Sequence, residues 1–269
     1  MDLSLIIVSY KTKGLLKYCL KDIYQTAPSC SFEIIVVDNQ SGDGTPEMIK
    51  KNFPKVKCLI PPKNIGFAAG NNLGLQVARG KYIVILNPDI VALPKALEAM
   101  IFFLEKNPEV GLVGPQLINP DKSIQLSCAR FPTIMTPLYR RTPLGRLKYG
   151  QTALARYLMT DYDHQTPKEV PWLLGACLMA PKRVIAQVGL LDERFFLYFE
   201  DVDWCRRFWQ KGYKVIYLPQ SRLVHFHQRL SVNDTALGSL FSSATRAHII
   251  SGIKYFWKYR WRVIPKCKN

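Results

Sequence analysis

Three acidic residues interrupt an aromatic segment in the second half of the sequence. The segment runs from Phe195 to Phe208 and contains Glu200, Asp201 and Asp203. A carboxylate inside an apolar wall costs several kcal/mol unless it is paired, hydrogen-bonded or bound to a metal ion. Either these acids interact favourably with the positive N-terminal end of a helix that begins near Asp201, or they take part in catalysis.

Other polar residues with chemical potential follow predicted strands. The runs 3–10, 32–37 and 82–86 are apolar, which is typical of strands buried on both faces. In parallel sheets, ligands bind beyond the carboxyl ends of the strands. We therefore expect three strand ends to meet at one crevice: Ser9-Tyr10, Asp38-Asn39 and Asn87-Pro88-Asp89.

Helical segments alternate with these strands. In the first half, we predict helices over 15–26, 46–52, 71–78 and 94–106 and a strand over 56–60. This alternation predicts an α/β fold with a mainly parallel sheet flanked by helices. In the second half, we predict strands over 172–180 and 213–218 and helices over 182–188, 201–211 and 235–259. Between them, residues 120–170 are rich in Pro, Arg and Thr and predict a long flexible excursion.

The charge is high and uneven. The formal net charge is +17, yet no acid occurs between Ser123 and Thr160 or after Asp234. Such fields attract nucleic acids, anionic lipids or diphosphate-bearing substrates. The tail 254–262 interleaves aromatic and basic residues, which suits a membrane interface or single-stranded nucleic acid. A terminal helix with a solvated face is the alternative.

Several classes of protein are disfavoured by what the sequence contains. The longest apolar runs fall far short of the ~20 residues of a membrane span. The first residues predict a strand and no signal peptide. Seven scattered cysteines indicate free thiols in a reducing compartment. Neither a glycine-rich dinucleotide loop nor a P-loop follows the first strand, at Tyr10.

Seven motifs in register resemble the family 2 glycosyltransferases, especially their rhamnosyltransferase-like branch, over about residues 3–228. They are IIVSY at 6–10, VVDNQSGDGT at 36–45, NIGFAAGNNLG at 64–74, LNPD at 86–89, GA at 175–176, FEDVD at 199–203 and VH at 224–225. The resemblance implies a GT-A (Rossmann-like) fold, a nucleotide-diphosphate sugar donor of the UDP or dTDP type, and inversion at the anomeric carbon. It also implies a divalent metal, Mg²⁺ or Mn²⁺.

The resemblance also implies a division of the chain. Residues 1–230 form the catalytic domain, with a nucleotide-sugar-binding half over about 1–110 and an acceptor half over 111–230. The flexible excursion near 120–170 belongs to the acceptor half. Residues 231–269 form a basic helical extension.

On the donor side, Asp38 resembles the contact to the imide of a uracil or thymine base, and an Asx turn is its alternative. The glycines of the glycine-rich loop let the backbone approach the donor. A role in turns and helix capping is the alternative for this loop. The remaining donor-binding candidates are Val8, Tyr10, Gly66, Gly70, Asn71, Asn87 and Asp89.

For the metal, Asp89 and His225 are the expected ligands, since hard cations prefer oxygen ligands. The family's usual Asp-x-Asp element is here Asn87-Pro88-Asp89, which leaves one carboxylate. His227 lies two residues on, on the same side of a strand, and competes with His225. A packed strand histidine is the structural alternative.

On the acceptor side, Asp201 resembles the general base that removes the acceptor hydroxyl proton. Glu200 and Asp203 then orient the acceptor or cap the helix. Trp172 and Gly175 lie where an acceptor sugar could stack, and Trp172 is equally well explained as core.

The interpretation is an inverting sugar transferase that builds a surface polysaccharide at the inner face of the cell membrane. We expect a saccharide or lipid-linked acceptor, peripheral contact with anionic membrane and no nucleic acid partner. The alternatives are a sugar-phosphate nucleotidyltransferase, whose Arg-bearing glycine-rich loop is missing, and a basic nucleic-acid-binding protein. The latter would leave the acidic motifs without a role.

Overall fold

A large mixed sheet carries the chain in the computed structural model, which describes residues 1–226, 243–263 and 265. Within these residues the strands are β1 (Leu3–Ser9), β2 (Phe32–Asp38), β3 (Lys57–Leu59), β4 (Tyr82–Leu86), β5 (Ile90–Ala92), β6 (Val110–Ile118), β7 (Cys128–Ala129), β8 (Lys168–Glu169), β9 (Trp172–Leu173), β10 (Cys177–Pro181) and β11 (Lys214–His225). Nine of them form the main sheet in the order β3-β2-β1-β4-β10-β6-β11-β5, with β8 on β11, while β7 pairs with β9.

Helices cover the sheet. They are α1 (Lys13–Gln25), α2 (Thr45–Asn52), α3 (Gly66–Val77), α4 (Ala96–Lys106), α5 (Thr136–Arg141), α6 (Lys148–Tyr157), α7 (Lys182–Val188), α8 (Glu200–Gln210) and α9 (Ser243–Tyr259), with a 3₁₀ turn at Pro143–Arg146. Two buried apolar clusters lie on opposite faces of the sheet, as the alternation of Leu5 and Ile7 with Ile6 along β1 shows.

The prediction of an α/β fold with a sheet flanked by helices is confirmed, and the sheet is mixed. β1 pairs in parallel with β2 and β4, β2 with β3, and β6 with β11. β10 is antiparallel to both β4 and β6, and β5 and β8 are antiparallel to β11. Because β10 runs against β4, its first residues lie at the carboxyl end of β4, where ligands bind.

Three predicted boundaries were wrong. Helix α3 begins at Gly66 instead of residue 71, since the glycine-rich motif forms the first turn of the helix. The strand predicted over 172–180 is two strands, β9 and β10, separated by residues 174–176. Strand β11 continues to His225 through a register shift between Leu218 and Arg222, which the predicted strand 213–218 missed.

The stretch near 120–170, for which the sequence predicts a flexible excursion, contains regular structure that the sequence pattern did not predict. This stretch contains β7, α5, α6 and β8, and we call residues 133–159 the helical insertion. Its helices are short and expose apolar side chains, so the sequence lacks the periodicity that indicates a helix. Packing on the main fold orders them: Tyr157 is 8% exposed and its ring centroid lies 6.4 Å from that of Trp172.

The C-terminal helix α9 packs against α8. Asp203 of α8 is fully buried, and its carboxylate accepts hydrogen bonds from Lys258 Nζ, Tyr259 Oη (2.8 Å) and Arg207 Nε (2.9 Å). The predicted start of this helix at residue 235 lies outside the described residues.

Aromatic contacts reinforce this packing at the start of α8. The Phe199 ring centroid lies 5.4 Å from that of Tyr255 and 6.2 Å from that of Phe256. A side chain at Gly252 would place its Cβ 3.4 Å from the Phe199 ring. Tyr198 and Phe199 both have φ of +68°, a strained region that persists only where the surroundings enforce it. Helix α9 therefore holds the turn that precedes Glu200.

Six cysteines are free thiols in the part of the chain that the structure describes: Cys19, Cys30, Cys58, Cys128, Cys177 and Cys205. None of the described helices combines the length and the apolar character that crossing a bilayer requires. The division of residues 1–230 into a donor half and an acceptor half stays a prediction.

Loss of the Lys258 ammonium should destabilise the fold. Breaking a buried ion pair leaves an uncompensated charge, so we expect Lys258→Met to lower the free energy of unfolding by about 3 kcal/mol. Lys254→Met is the matched control, because the Lys254 ammonium contacts a backbone carbonyl at an exposed position, and it should change stability by about 0.5 kcal/mol or less. Urea unfolding measures both.

Adding Asp203→Asn to Lys258→Met should recover part of the lost stability, because the amide carries no charge to compensate. Equal stability of Lys258→Met and Lys254→Met would show that the ion pair does not hold α9 in place.

Candidate active site

The three polar strand ends meet at one edge of the sheet, as expected. Ser9 pairs with Asp38 across β1 and β2, and the Asn39 N–H donates to the Ser9 carbonyl at 2.8 Å. On the other side of β1, the Asn87 N–H donates to the Ala176 carbonyl at 2.8 Å. The carboxyl ends of β1, β2 and β4 and the start of β10 therefore lie side by side at this edge of the sheet, which we call the cleft.

Asp38 offers an acceptor inside this cleft. It is 2% exposed, and its Oδ1 is buried with no hydrogen-bond partner among the described residues. A buried carboxylate oxygen is stable when a ligand N–H completes it. Val8 forms a wall nearby, with its methyl groups 3.1 Å from where a Cβ of Gly70 would lie, and Tyr10 stands 44% exposed at the rim.

Asn39, which the sequence analysis located at a strand end without assigning it a role, holds two segments of the site together. Its Nδ2 donates to the Gly66 carbonyl at 3.1 Å, and its Oδ1 accepts from the Ile65 N–H at 2.9 Å. Both bonds tie the start of α3 to the end of β2. The only local signal was its position directly after Asp38 in a strand-end motif.

The start of α3 is also tied to the loop that leads into α8. Gly66 has φ of +86°, and a Cβ there would lie 2.5 Å from the Phe196 carbonyl, so only glycine fits. The Phe67 N–H donates to that same carbonyl at 2.7 Å. The glycine of this loop is thus required by a close approach between two segments.

Two neighbouring asparagines of α3, Asn71 and Asn72, have different hydrogen-bonding environments. Asn71 is fully buried and its Oδ1 has no hydrogen-bond partner among the described residues. Asn72, which sequence reasoning missed, exchanges two hydrogen bonds with the Leu191 backbone, at 2.9 and 3.0 Å, and donates to Glu193 at 2.9 Å. Asn72 therefore holds the loop, and Asn71 leaves an acceptor for a ligand.

Asp89 and His225 meet, although they are far apart in sequence. His225 Nε2 lies 3.4 Å from Asp89 Oδ1, and that oxygen is buried with no hydrogen-bond partner among the residues described. Strand β5 begins directly after Asp89 and pairs with the end of β11, with Ile90 opposite His225. The pairing of two distant strands thus brings the two side chains together.

Gln125 sets the orientation of the His225 ring, and the sequence did not reveal it. His225 Nδ1 lies 2.9 Å from Gln125 Oε1, and Gln125 Nε2 donates to the His225 carbonyl at 3.0 Å. Since an amide oxygen only accepts, Nδ1 carries a proton, so Nε2 is the nitrogen whose lone pair can coordinate an ion in the neutral ring. His227, the competing histidine, lies outside the described residues.

The pair fits a divalent cation. Adjacent ligands of an octahedral ion with bonds near 2.1 Å stand about 3 Å apart, comparable to the separation of Asp89 Oδ1 and His225 Nε2. No cluster of three or more His, Cys, Asp or Glu side chains suited to a metal occurs in the described ranges. Within the described residues, Asp89 and His225 are therefore a two-ligand candidate site, and substrate oxygens and water would fill the remaining positions of a bound ion.

Asp201 lies at the first turn of α8 beside Gly175. It is 8% exposed; its Oδ2 accepts from the Gly175 N–H at 2.9 Å and its Oδ1 from the Val202 N–H at 2.8 Å. Burial raises the pKa of Asp201 to about 6, against the opposing effect of these hydrogen bonds. A Cβ at Gly175 would lie 3.4 Å from the same Oδ2, so glycine keeps this oxygen accessible.

Glu200 and Asp203 have separate environments. Glu200 is 5% exposed, and burial together with the negative charge of Asp201 raises its pKa well above the usual value. Its Oε2 is buried with no hydrogen-bond partner in the described chain. Asp203 faces α9 and not the cleft, which leaves Glu200 as the one of the two that can meet a substrate.

Trp172 occupies a core position. It is 8% exposed, and its indole Nε1–H donates to the Arg130 carbonyl at 2.8 Å. This geometry favours the core interpretation that the sequence left open, and stacking on an acceptor sugar stays a prediction.

Comparisons with known proteins agree with this arrangement. The glycosyl transferase family 2 profile matches residues 4–166. N-acetylglucosaminyl-diphospho-decaprenol L-rhamnosyltransferase of Mycobacterium tuberculosis is 27% identical over 222 residues, 76% of this chain and 69% of that protein. Rhamnosyltransferase WbbL of Escherichia coli is 23% identical over 273 residues, 95% and 93% of the two chains.

Solved structures share the fold. A structure of GalNAc-T7 with UDP, GalNAc and Mn²⁺ superposes with a TM-score of 0.62 at 17% identity, over 84% of this chain and 44% of that one. The chain thus spans less than half of GalNAc-T7. Mannosyltransferase PcManGT of Pyrobaculum calidifontis, with GDP-Man and Mn²⁺, superposes with a TM-score of 0.58 at 17% identity, over 98% and 76%. This chain is a glycosyltransferase with the GT-A fold and belongs to glycosyl transferase family 2.

Proposed function

We propose that this enzyme transfers a sugar, with inversion, from a nucleoside-diphosphate donor to a saccharide or lipid-linked acceptor during synthesis of a cell-surface polysaccharide. Rhamnose is the candidate sugar, because two of the similar proteins are named as rhamnosyltransferases. Family membership favours this over a nucleotidyltransferase or a nucleic-acid-binding protein.

One observation carries the proposal. The Asn87 N–H donates to the Ala176 carbonyl, and the neighbouring Gly175 N–H donates to Asp201 Oδ2. Two adjacent residues of the chain thus connect the strand end before Asp89 to the carboxylate that resembles the base. In the proposed reaction a cation stabilises the leaving group and a base acts on the opposite face of the sugar, and this short connection would fix one relative to the other.

We assign recognition of the donor's nucleobase to Asp38. Its buried Oδ1 can accept the imide N–H that uracil and thymine share, so it does not separate UDP from dTDP donors. Val8 and Tyr10 supply apolar surface beside the base, and the Asn71 Oδ1 accepts from a donor hydroxyl. Gly66 and Gly70 keep the backbone of α3 close to this ligand.

The metal is assigned to Asp89 and His225, with Mg²⁺ or Mn²⁺ as the ion. A bound divalent ion supplies Lewis-acid stabilisation of the charge that develops on the departing diphosphate. The role of Gln125 is to hold His225 in the tautomer whose Nε2 can coordinate. Asn87 lies beside this site at the end of β4 and can donate to a diphosphate oxygen.

In the proposed step, Asp201 accepts the proton of the acceptor hydroxyl while that oxygen forms a bond to the anomeric carbon. The bond between this carbon and the diphosphate breaks, and its electron pair leaves with the nucleoside diphosphate. Hydrogen bonds from the Gly175 and Val202 N–H groups hold the Asp201 carboxylate in place. Burial raises the pKa of Asp201 toward the range of an effective base. Glu200, whose pKa is raised by burial and by the charge of Asp201, can form a hydrogen bond with the acceptor.

We place the reaction at the inner face of the cell membrane. A lipid-linked acceptor would lie there, and the free thiols of the described cysteines agree with a reducing compartment. The basic, aromatic face of α9 would then contact anionic lipid, with Trp257 and Trp261 exposed.

The metal ligands can be tested by substitution. Asp89→Ala should abolish turnover, and His225→Ala should lower it and weaken its metal dependence. Asp161→Ala is the control, because Asp161 is exposed and is distant in sequence from both Asp89 and His225. The rise in melting temperature caused by Mn²⁺ with UDP or dTDP should disappear in Asp89→Ala and persist in the control. Full wild-type activity in excess EDTA would contradict the assignment.

The role of Asp201 as the general base can be tested with a single variant. Release of nucleoside diphosphate from a panel of UDP and dTDP sugars first identifies the donor. Asp201→Asn keeps size and most hydrogen bonds but cannot take up the proton, so transfer should fall by about 10²–10⁴-fold with donor affinity almost unchanged.

The wild-type pH profile gives an independent check of the same residue. Only the deprotonated carboxylate acts as base, so kcat/KM should be lost as the pH falls through about 6 and be restored above it. If Asp201 only caps α8, Asn caps nearly as well, and the melting temperature and transfer rate would both stay close to wild type.

A further inference from the structure

Exposed apolar side chains are concentrated in two segments of the described chain. Twelve of the twenty-two exposed large hydrophobic residues lie within residues 134–149 and 249–263. The first segment exposes Ile134, Met135, Leu138, Leu144, Leu147 and Tyr149; the second exposes Ile249, Ile250, Ile253, Trp257, Trp261 and Val263. Exposed apolar surface of this density marks a site of interaction.

Both segments are free of acids and carry exposed cations. The helical insertion exposes Arg140, Arg146, Lys148 and Arg156. Helix α9 and the residues after it expose Arg246, Lys254, Arg260 and Arg262. Cations interspersed with apolar side chains are complementary to a surface that is negatively charged outside and apolar within.

The buried residues beneath the two segments meet at Arg206 of α8. Its guanidinium lies 3.8 Å from the ring centroid of Tyr259 and 5.9 Å from those of both Tyr255 and Phe131. Tyr255 and Tyr259 belong to α9, and Phe131 directly precedes the helical insertion. Arg206 is 3% exposed, so this junction is part of the core.

The helical insertion is attached beside the candidate base. Its two ends are joined by the Arg130 N–H, which donates to the Tyr157 carbonyl at 2.8 Å. The Leu174 N–H donates to the Ser127 carbonyl at 2.8 Å, one residue before Gly175, whose N–H binds Asp201. The insertion therefore starts from the side of the cleft assigned to the acceptor.

We propose that the helical insertion is a second membrane-binding surface, which acts together with α9 and takes an anionic phospholipid bilayer as its partner. The purpose of this surface rests on the proposed function, because a lipid-linked acceptor enters from the bilayer. Its cations meet headgroup phosphates, and its apolar side chains enter the interface. Five of its six exposed apolar residues are aliphatic, whereas a single-stranded nucleic acid would need aromatic faces for stacking.

Co-sedimentation of the full chain with vesicles tests the proposal. The vesicles contain phosphatidylcholine with about 30% phosphatidylglycerol, an anionic surface, and pure phosphatidylcholine is the comparison. Leu147→Ser/Tyr149→Ser should weaken binding to the anionic vesicles by about tenfold, as should Trp257→Ser/Trp261→Ser. Tyr18→Ser/Phe102→Ser is the matched control, since both residues are exposed outside the two segments, and it should bind like wild type.

Two further measurements separate this proposal from the proposed function. Melting temperatures near wild type establish that the variants fold. Transfer to a short-chain, water-soluble acceptor should be unchanged in Leu147→Ser/Tyr149→Ser, because these residues lie outside the cleft. If the wild type turns over no nucleotide sugar, the proposed function fails while the vesicle result stands.

Three outcomes would overturn the membrane surface. One is binding of Leu147→Ser/Tyr149→Ser to anionic vesicles as tight as that of the control variant. Another is equal binding of the wild type to neutral and anionic vesicles. The third is a preference for a fluorescent single-stranded oligonucleotide that the same variant loses, which would assign the insertion to nucleic acid.

Discussion

Three carboxylates within four residues of a buried helix start are the constraint on which this structure depends. Like charges so close in a low-dielectric setting cannot all ionise without compensation. Each has a different solution: Asp203 is compensated by Lys258 and Arg207, Asp201 by two backbone N–H groups, and the pKa of Glu200 rises. The result is one carboxylate beside the cleft, Asp201, whose charge is stabilised by hydrogen bonds.

That solution requires segments from both ends of the chain. Lys258 comes from α9, the N–H that binds Asp201 comes from Gly175, and the loop before α8 is held by Asn72 of α3. The left-handed pair Tyr198 and Phe199 directly precedes this helix start, and contacts of the Phe199 ring with Tyr255 and Phe256 of α9 hold it. The donor loop, the base and the C-terminal helix are therefore mechanically connected.

The surplus of positive charge has a different location and a different consequence. It is concentrated in the helical insertion and around α9, which contain no acids, while most acids serve ion pairs, hydrogen bonds or the cleft. The two basic segments join at Arg206, on the helix that carries Asp201. The proposed membrane surface and the candidate active site thus share one supporting helix.

The sequence by itself determined the parallel half of the sheet and the residues at its carboxyl edge, because buried strands and their polar ends are local patterns. Tertiary structure alone decided the partners of these residues: Asn39, Gln125 and Asn72 act across 27, 100 and 119 positions of the chain. Local periodicity carries no information about such distant contacts. It also failed for the helical insertion, which exposes apolar side chains and is ordered by packing of Tyr157 on Trp172 and by contacts among its own helices.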